Sequence, residues 1–303
     1  MKTNHQIHAA TLTAICAAFA CVPTQAVAGP VLGSSLASFA VLGAAGVTNV
    51  PTSTIGGNLG SAPNASVGGG YVFTSGSIQQ NTALAQTAQL ELDAAITTLN
   101  GMLAVGGPVN ADLTGTIVAG VYDVAAATTN LSGDLILDGQ GSNSAVWVFR
   151  FASTLITSSA SRVFVTNVGD GANVGIYWDV GSAATLNGNV FAGNVLAHDL
   201  ISSDGDLTMG CGRLLSATTQ VTLIHDTISL GCTTGMNATD VTGAGSHVAS
   251  SGGFDQGVST GTGGTGGSNG EIVNGVPEPT TLLLAGLGLA GALVSRRRPS
   301  TAN

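Results

Sequence analysis

Four apolar runs decide the fold of this chain: AVWVFRF at 145–151, RVFVTNV at 162–168, VGIYWDV at 174–180 and NVFAGNVLA at 189–197. They are rich in β-branched and aromatic residues, and Gly, Asn, Asp and Ser lie between them. This composition is typical of strands punctuated by turns. The sequence therefore predicts a succession of short β-strands over this part of the chain.

A short phrase with a central leucine recurs through the same region. The residues on either side of that leucine would point away from it, because successive side chains on a strand face opposite sides. A repeated strand phrase indicates a repeat architecture, although the intervals between the copies are irregular. We therefore predict a mainly β fold that is a discontinuous β-solenoid. The copies are Thr154-Leu155-Ile156, Thr185-Leu186-Asn187, Asp206-Leu207-Thr208 and Thr222-Leu223-Ile224.

Charged side chains are scarce and mostly acidic. Only 8% of the 303 residues are charged, and the formal net charge is −9. Between residues 29 and 275 there is no lysine, and the only arginines are Arg150, Arg162 and Arg213. An acidic surface repels phosphate backbones, so we expect no nucleic-acid partner. No internal apolar run reaches the ~20 residues that a membrane-spanning helix needs.

The first 28 residues have the pattern of a secretory signal peptide. A lysine precedes an apolar stretch at 9–20, and Ala26-Val27-Ala28 provides the small-x-small cleavage pattern. Cleavage would leave Cys211 and Cys232, and an even pair in an exported protein predicts a disulfide. A metal site is the less favoured alternative, because neither cysteine belongs to a Cys-x-x-Cys pair.

One segment breaks the strand pattern with helical periodicity. Between residues 81 and 100, apolar residues recur at the spacing of one helix face. Ser77 with Gln80 predicts an N-terminal capping box, and Gly101 is a natural stop. We therefore expect one long helix at about 81–100 that packs against the side of the solenoid. The apolar positions are Leu84, Ala88, Leu92, Ala95, Ile96 and Leu99.

The order of these segments resembles the ice-binding-like domain family, over about residues 31–228. The resemblance implies a right-handed β-helix of triangular cross-section with one long α-helix packed alongside, here in a domain at 29–232. Members of the family that bind ice do so with a flat solenoid face. Besides the apolar runs at 145–151, 174–180 and 189–197, the motifs are FAVLGAAGVTNV at 39–50, IGGNLG at 55–60, NTALAQTAQLELDAA at 81–95, GVYDV at 120–124, LSGDLILDGQG at 131–141 and GRLLSATTQVTL at 212–223.

Outward-facing threonines are the candidate ice-binding residues. Rungs of a solenoid stack about 4.7–4.9 Å apart, so one outward position repeated over the rungs forms a row. The β-branch of threonine fixes χ1, its methyl group is apolar and its hydroxyl can anchor ordered water. If leucine points inward in each phrase, the candidates on the flat face are Thr154, Thr185, Asn187, Thr208 and Thr222.

This face departs from the pattern of several ice-binding members, which carry Thr, then Ala or Gly, then any residue, then Thr or Asn. We find no copy within the solenoid, and Thr262-Gly263-Gly264-Thr265 lies in the linker. Ile156 and Ile224 replace the second polar residue, and Asp206 brings a charge into the row. A merely soluble strand face is therefore the alternative interpretation of these threonines.

Two His-Asp pairs are the remaining candidates for chemistry. His198-Asp199 and His225-Asp226 could stack on neighbouring rungs and bind a metal with a further ligand such as Asp204 or Asp206. Two polar turn pairs at equivalent corners are the favoured interpretation. No nucleophile elbow supports Ser/His/Asp catalysis, and the core lacks lysine, which solenoid polysaccharide lyases commonly place in a cleft. We therefore expect no metal, no cofactor and no enzymatic activity.

The C-terminal region has the composition of a spacer followed by a sorting tail. Residues 233–275 are dominated by Gly, Ser, Thr and Asn, which is typical of a flexible linker. Pro277-Glu278-Pro279, an apolar run at 281–294 and three arginines at 296–298 follow. This order resembles the PEP-CTERM sorting signal, here at 276–298. An ordinary membrane anchor is the alternative.

The sorting resemblance implies a location. A membrane exosortase would recognise and remove the tail, so the membrane would be contacted only through this short transmembrane segment, before processing. Such signals belong to Gram-negative bacteria with an extracellular polymeric matrix, which places the exported protein at the cell surface or in that matrix. Two functions fit: adsorption to an ice crystal surface, or a non-catalytic structural or adhesive role on matrix polysaccharide. Continuous Thr and Asn rows would favour ice, whereas a face broken by Ile and Asp would favour the matrix role.

Overall fold

The computed structural model describes residues 31–104, 109–169 and 173–231. In these ranges the chain forms 20 β-strands and two α-helices, and the paired strands run parallel. The prediction of a mainly β fold is confirmed. Three predicted segments lie outside the described residues: the signal peptide at 1–28, the linker at 233–275 and the sorting tail at 276–298.

The elements follow one another with short connections. The helices are α1 (Ser34–Ala37) and α2 (Ala83–Asn100). The strands are β1 (Phe39–Gly43), β2 (Gly46–Asn49), β3 (Ser53–Gly56), β4 (Asn58–Ser61), β5 (Val67–Gly68), β6 (Tyr71–Ser75), β7 (Ile78–Gln80), β8 (Gly115–Val118), β9 (Gly120–Val124), β10 (Asp134–Asp138), β11 (Val146–Phe151), β12 (Leu155–Ile156), β13 (Arg162–Thr166), β14 (Gly175–Val180), β15 (Ala184–Leu186), β16 (Val190–Ala197), β17 (Ile201–Ser203), β18 (Thr208–Ser216), β19 (Gln220–Leu223) and β20 (Thr227–Ser229).

The strands form three stacks, which we name by their outward side. The helix-side stack has the order β7-β4-β1-β18-β16-β14-β11-β9. The charge-free stack has the order β5-β2-β19-β17-β15-β12, and the ion-pair stack has the order β6-β3-β20-β18-β16-β13-β10-β8. Successive turns of the chain thus add a rung to each stack, as in a solenoid. The handedness and the triangular cross-section stay predictions.

Two long strands bend from the ion-pair stack into the helix-side stack. The pairing of β16 with β18 shifts register between Ala192 and Gly193, so that Cys211 is the extra residue on β18. Gly193 and Cys211 have positive φ angles of 95° and 53°. A bulge of this kind bends a strand sharply, which explains why two stacks form one 14-stranded sheet while the charge-free stack is separate. Cys232 lies outside the described residues, so its disulfide with Cys211 stays a prediction.

The first turn of the chain stacks on the last one. β1 pairs with β18, β2 with β19 and β3 with β20, so the N-terminal turns extend the C-terminal end of the solenoid. The buried Arg213 of β18 donates from Nη2 to the carbonyl oxygen of Ala37, at 2.7 Å, and from Nη1 to Oδ1 of Asn194, at 2.7 Å. These charge-assisted bonds tie α1 to the last turn. The solenoid is therefore discontinuous in chain order.

Aromatic rings fill the interior. Phe149 and Trp178 stack with their ring centroids 4.6 Å apart, and Phe191 lies 4.8 Å beyond Trp178. Tyr122 covers Phe149 from the other side at 5.6 Å and donates its hydroxyl to the carbonyl oxygen of Val118, at 2.8 Å. Both tryptophans of the chain are buried and donate Nε1–H to a backbone carbonyl. Both rings belong to the hydrophobic core.

α2 covers the helix-side stack. It contacts β7, β14 and β11, which lie at different levels of that stack. At 1.5 Å per residue its 18 residues span about 27 Å, the height of roughly six rungs. Its buried side chains share a second hydrophobic cluster with outward residues of the stack such as Leu42, Leu196 and Leu215. The buried positions are Ala85, Ala88, Leu92, Ala95 and Leu99.

The start of α2 differs from the predicted capping box. The N-cap is Thr82, whose hydroxyl oxygen accepts from the amide of Ala85 at 3.3 Å. Ser77 lies five residues earlier, ahead of β7, because Ile78–Gln80 pairs with β4 before the helix begins. The predicted capping box of Ser77 and Gln80 was wrong, because Gln80 belongs to β7 and pairs with β4. The helix itself agrees with the expected range of about 81–100.

Arg150 of β11 anchors the C-terminal end of α2. It donates from Nη1 to the carbonyl oxygens of Asn100, at 3.1 Å, and Met102, at 2.7 Å, and from Nε to Asp123 Oδ1 at 2.8 Å. A cation at this position also complements the partial negative charge of a helix C-terminus. Asp179 on the neighbouring strand β14 is buried beside it. Burial raises the pKa of Asp179 to about 6, although the charge of Arg150 opposes the shift.

None of the helices in the described ranges combines the length and apolar character required to cross a membrane. The apolar run at 281–294 lies outside those ranges.

Candidate functional site

The charge-free stack presents one continuous outward row. The strand registers align Thr185 with Ser202, Ser202 with Thr222, and Thr222 with Thr48. Four neighbouring rungs therefore carry a hydroxyl at the same position. The row continues to Ile156 at one end and to Gly68 at the other. We call Thr185, Ser202, Thr222 and Thr48 the central row.

The alternation of the strands leaves these hydroxyls on the solvent side. The residues beside them in sequence are inward and buried, as Leu186, Val221 and Leu223 show. Thr48 Oγ1 donates to Thr222 Oγ1 across 3.3 Å, a bond between neighbouring rungs. Among the described residues, the side chains of Thr185 and Ser202 have no protein hydrogen-bond partner, and neither hydroxyl is a buried unsatisfied atom. Their bonding capacity is directed at water.

Two marginal rows flank the central row. On one side lie Gln220 and Gly46, which are opposite each other on β19 and β2, and Thr154, which precedes β12 by one residue and Ile156 by two. On the other side lie Ile224 and Val50, which are 37% and 73% exposed. The margin therefore mixes apolar and polar groups. A third marginal position, Asp204, carries a charge beyond the end of β17.

The structure brings together only part of the predicted site. Thr185 and Thr222 belong to the central row, and Thr154 lies one row away, because Ile156 occupies the central position of its rung. Asn187 donates Nδ2 to the carbonyl oxygen of Thr157 at 2.9 Å, so its amide group supports the corner of the turn.

Thr208 lies on a different stack from the other candidates. It begins the part of β18 that pairs with β20 in the ion-pair stack. Asp206 adopts a positive φ of 57° just before it, so the chain turns a corner within the phrase Asp206-Leu207-Thr208. The prediction that one row contains all the candidate threonines was therefore wrong. A polar-Leu-polar phrase has the same appearance at a corner and within a strand.

Sequence reasoning missed Ser202 and Thr48. Their inward neighbours are Ile201 and Val47 instead of leucine, so the leucine phrase does not include them. A broader pattern, in which any buried aliphatic residue precedes an outward Ser or Thr on a short strand, would have found both.

The three stacks differ in how their outward sides are occupied. The helix-side stack is covered by α2. The ion-pair stack carries Arg162 and Asp134 on adjacent strands, with Nη2 2.6 Å from Oδ2, and the guanidinium group lies 5.2 Å from the ring centroid of Phe164. In the six strands of the charge-free stack there is no ionisable side chain. Within the ranges that the structure describes, no element covers the outward side of that stack, and its strands carry no charge.

A buried carboxylate fixes the corner beside the central row. Asp226 accepts from the hydroxyl of Ser203 and, at 3.0 Å each, from the amides of Leu207 and Ile224. Its own amide donates to Ser53 Oγ at 2.8 Å, which links the last turn to the first. Burial raises the pKa of Asp226, and these hydrogen bonds oppose the shift. The corner is thus held by polar bonds across three turns.

The two His-Asp pairs do not stack on each other. His198 follows β16, and its Nδ1 lies 3.2 Å from Oδ1 of Asp199. His225 follows β19, at a different corner, and its Nδ1 lies 2.6 Å from Oδ1 of Asp206. The expectation of equivalent corners was wrong. Within residues 31–104, 109–169 and 173–231, no cluster of three or more His, Cys, Asp or Glu residues could hold a metal ion.

Two family profiles match parts of this chain. The profile described as ice-binding-like matches residues 41–229, which include the strands that form the charge-free stack. The chain belongs to the ice-binding-like family. A second profile, the PEP-CTERM protein-sorting motif, matches residues 275–298. Pro277, Glu278 and Pro279 fall inside that match, although they lie outside the described residues.

Two proteins of similar sequence are described as ice-binding proteins. An ice-binding protein of Nostoc sp. (strain HG1) is 34% identical over 227 residues, which are 72% of this chain and 81% of the relative. An ice-binding protein of Flavobacterium frigoris (strain PS1) is 28% identical over 64% of this chain and 74% of its own length.

Solved structures show a related fold. The crystal structure of an ice-binding protein from the Antarctic ascomycete Antarctomyces psychrotrophicus has a TM-score of 0.57 and 30% identity, over 68% of this chain and all of that one. An ice-binding protein from an Antarctic biological consortium has a TM-score of 0.58 and 28% identity, over 68% of this chain and 93% of that one.

Proposed function

We propose that this protein adsorbs to ice through the charge-free stack. The observation that carries the proposal is the central row, in which four neighbouring rungs present a hydroxyl at one outward position. The relatives described as ice-binding proteins support it, and they do not favour the alternative of a matrix component. The proposal keeps Thr185 and Thr222, adds Ser202 and Thr48, and places Thr154 at the margin.

The physical basis is a regular and rigid array. Rungs of parallel strands repeat about every 4.7–4.9 Å, so the hydroxyls of the row recur at that interval. The β-branch of threonine restricts χ1, and its methyl group fills the space between neighbouring hydroxyls. Because the six strands lack charge, no ionised group interrupts the central row itself, and the exposed carboxylate of Asp204 lies only at its margin. The water layer that the hydroxyls order can then merge with the surface of a crystal.

We infer a right-handed coil of triangular cross-section, with the central row on one of its flat sides and a disulfide between Cys211 and Cys232. The signal peptide at 1–28 would direct export through the Sec pathway. An exosortase would process the tail after transient anchoring in the membrane, leaving the domain at the surface of a Gram-negative cell or in its matrix. The proposal assigns no catalysis and no cofactor.

The test is a single bulky substitution in the middle of the central row. Thr222→Tyr places a ring between Ser202 and Thr48, which should hold the face away from the crystal. We expect thermal hysteresis and inhibition of ice recrystallisation to fall roughly tenfold, as for a residue at the centre of an interface. The matched control is Thr116→Tyr, an exposed threonine of β8 on the ion-pair stack.

The outcomes are distinct. Equal activity in the Thr222→Tyr variant and the unsubstituted protein would show that the charge-free stack is not the face that contacts ice. An inactive unsubstituted protein would end the proposal. Circular dichroism and thermal melting of each variant would show that the fold is retained.

A further inference from the structure

A second row of hydroxyls lies on the ion-pair stack. The registers align Thr208 with Thr227 and Thr227 with Thr54 on three neighbouring rungs. Thr208 is one of the predicted ice-binding residues, but the central row does not include it. We call these three threonines the corner row, because one corner of the solenoid separates them from the central row.

The two rows belong to the same three turns. Each turn passes from the charge-free stack, through the corner, to the ion-pair stack, and it carries a hydroxyl on both sides. The pairs within a turn are Ser202 and Thr208, Thr222 and Thr227, and Thr48 and Thr54. Solubility alone does not require hydroxyl groups in register on two neighbouring stacks.

The hydroxyls of the corner row are available to water. Each of the three threonines is half-buried. In the part of the chain that the structure describes, none of their side chains has a protein hydrogen-bond partner, and none of the hydroxyls is a buried unsatisfied atom. The β-branched side chains hold these groups at the rung spacing, as in the central row.

The ends of the corner row are apolar. Val190 aligns with Thr208 at one end, and Val72, which is 53% exposed, aligns with Thr54 at the other. Charge begins only one rung further on, where Arg162 aligns with Val190. The corner row is thus an uncharged segment of a stack that carries the Arg162–Asp134 ion pair further along.

The corner itself divides the two rows. His225 and Asp206 are exposed there, with Nδ1 2.6 Å from Oδ1, so a hydrated pair separates the rows at two of the three turns. On the remaining turn the corner is Val50, Pro51 and Thr52, which are exposed and uncharged. The rows therefore lie on two separate sheets, with this corner between them.

We propose that the corner row is a second ice-contacting facet, so that the domain adsorbs to more than one crystal plane. The inference rests on the proposed function of the charge-free stack. Its ligand is the same water lattice, which the hydroxyl and methyl groups of the corner row meet in a different orientation. A protein that covers two sets of planes restricts growth of the crystal in more directions.

The test uses fluorescently labelled protein adsorbed to a single-crystal hemisphere of ice. The unsubstituted protein should mark at least two sets of planes. Thr227→Tyr should remove one set and roughly halve thermal hysteresis, while Thr222→Tyr should remove the other set. Thr116→Tyr, at the far end of the same stack, is the control and should leave the pattern unchanged.

Thr208→Tyr repeats the test at a second position of the corner row, in case the variant at Thr227 does not fold. If the corner-row variants keep the full pattern and hysteresis while Thr222→Tyr loses activity, the corner row does not contact ice and the proposed function stands. If the unsubstituted protein marks no plane, both proposals fall. Loss of every plane in a folded Thr227→Tyr variant would also overturn the separation into two facets.

Discussion

The helix-side stack and the charge-free stack are built from the same turns but present opposite chemistry. Three neighbouring rungs carry Leu196, Leu215 and Leu42 on the helix side, all fully buried. The same three turns carry Ser202, Thr222 and Thr48 on the charge-free side. Both sets of side chains point away from the solenoid interior. The difference lies in what covers them, which is α2 in one case and solvent in the other.

In this protein the two stacks have the same kind of inward residues, whereas the residue types at their outward positions differ. The inward residues of both stacks are the usual aliphatic and aromatic side chains, and they belong to one core cluster. Outward leucine is tolerated where a helix buries it, because about 25 cal/mol is gained per Å² of apolar surface removed from water. Outward leucine without such a cover would be an exposed apolar patch.

The largest expected effect on stability comes from truncating matched residues of one turn. Leu215→Ala should lower the free energy of unfolding by about 3 kcal/mol, because it leaves a cavity between α2 and β18. Thr222→Ala on the same turn should change it by less than about 0.5 kcal/mol. Urea unfolding of both variants measures the difference. Equal losses would mean that the charge-free stack is also covered in solution.

A pH series sharpens the comparison, since the helix-side stack buries a carboxylate and the charge-free stack has none. Burial raises the pKa of Asp179 to about 6, so the folded state binds the proton more tightly than the unfolded chain does. The contribution of Asp179 to stability is therefore complete below about pH 4 and is lost as the pH rises through about 6.

Asp179→Asn should remove this loss, making the variant more stable than the unsubstituted protein by about 2–3 kcal/mol at pH 7 and similar to it at pH 4. Thermal melts at both pH values measure the effect, and the difference between the proteins isolates Asp179 from Asp226. A variant that is less stable at pH 7 would show that the ionised carboxylate supports Arg150 more than its burial costs.

A smaller effect is expected at the end of α2. Arg150→Gln removes the charged donor to the carbonyl oxygens of Asn100 and Met102, and should lower the free energy of unfolding by about 2 kcal/mol. The contact with Asp123 adds little, because that carboxylate is largely exposed. Hydrogen exchange should show faster opening at the C-terminal end of α2. Ice adsorption should not change, since the charge-free stack is not involved.

Much of the interior could be predicted from local pattern, because strand alternation and helical spacing report burial directly. The apolar runs gave β11, β13, β14 and β16, and the interior place of both tryptophans follows from those runs. The helix was found from its periodicity, although Leu84, predicted on its apolar face, is 36% exposed. These features depend on residues that are close in sequence.

The outward rows could not be predicted in the same way, because they depend on register between distant turns. Whether Thr208 belongs with Thr222 is decided by the corner at Asp206, and a positive φ at an aspartate leaves no clear sequence signal. Thr48 joins the central row only because β2 pairs with β19, across nearly the whole domain. No local pattern indicates that contact.

The pairing of the first turn with the last one constrains the order in which the chain folds. Residues of β1 to β3 are synthesised early, yet the edge on which they dock is formed by β18, β19 and β20. Until those late strands emerge, the early strands expose an open edge, which is prone to pairing with other chains. Closure of the solenoid, and with it completion of the central row at Thr48, is therefore among the last events in the maturation of the molecule.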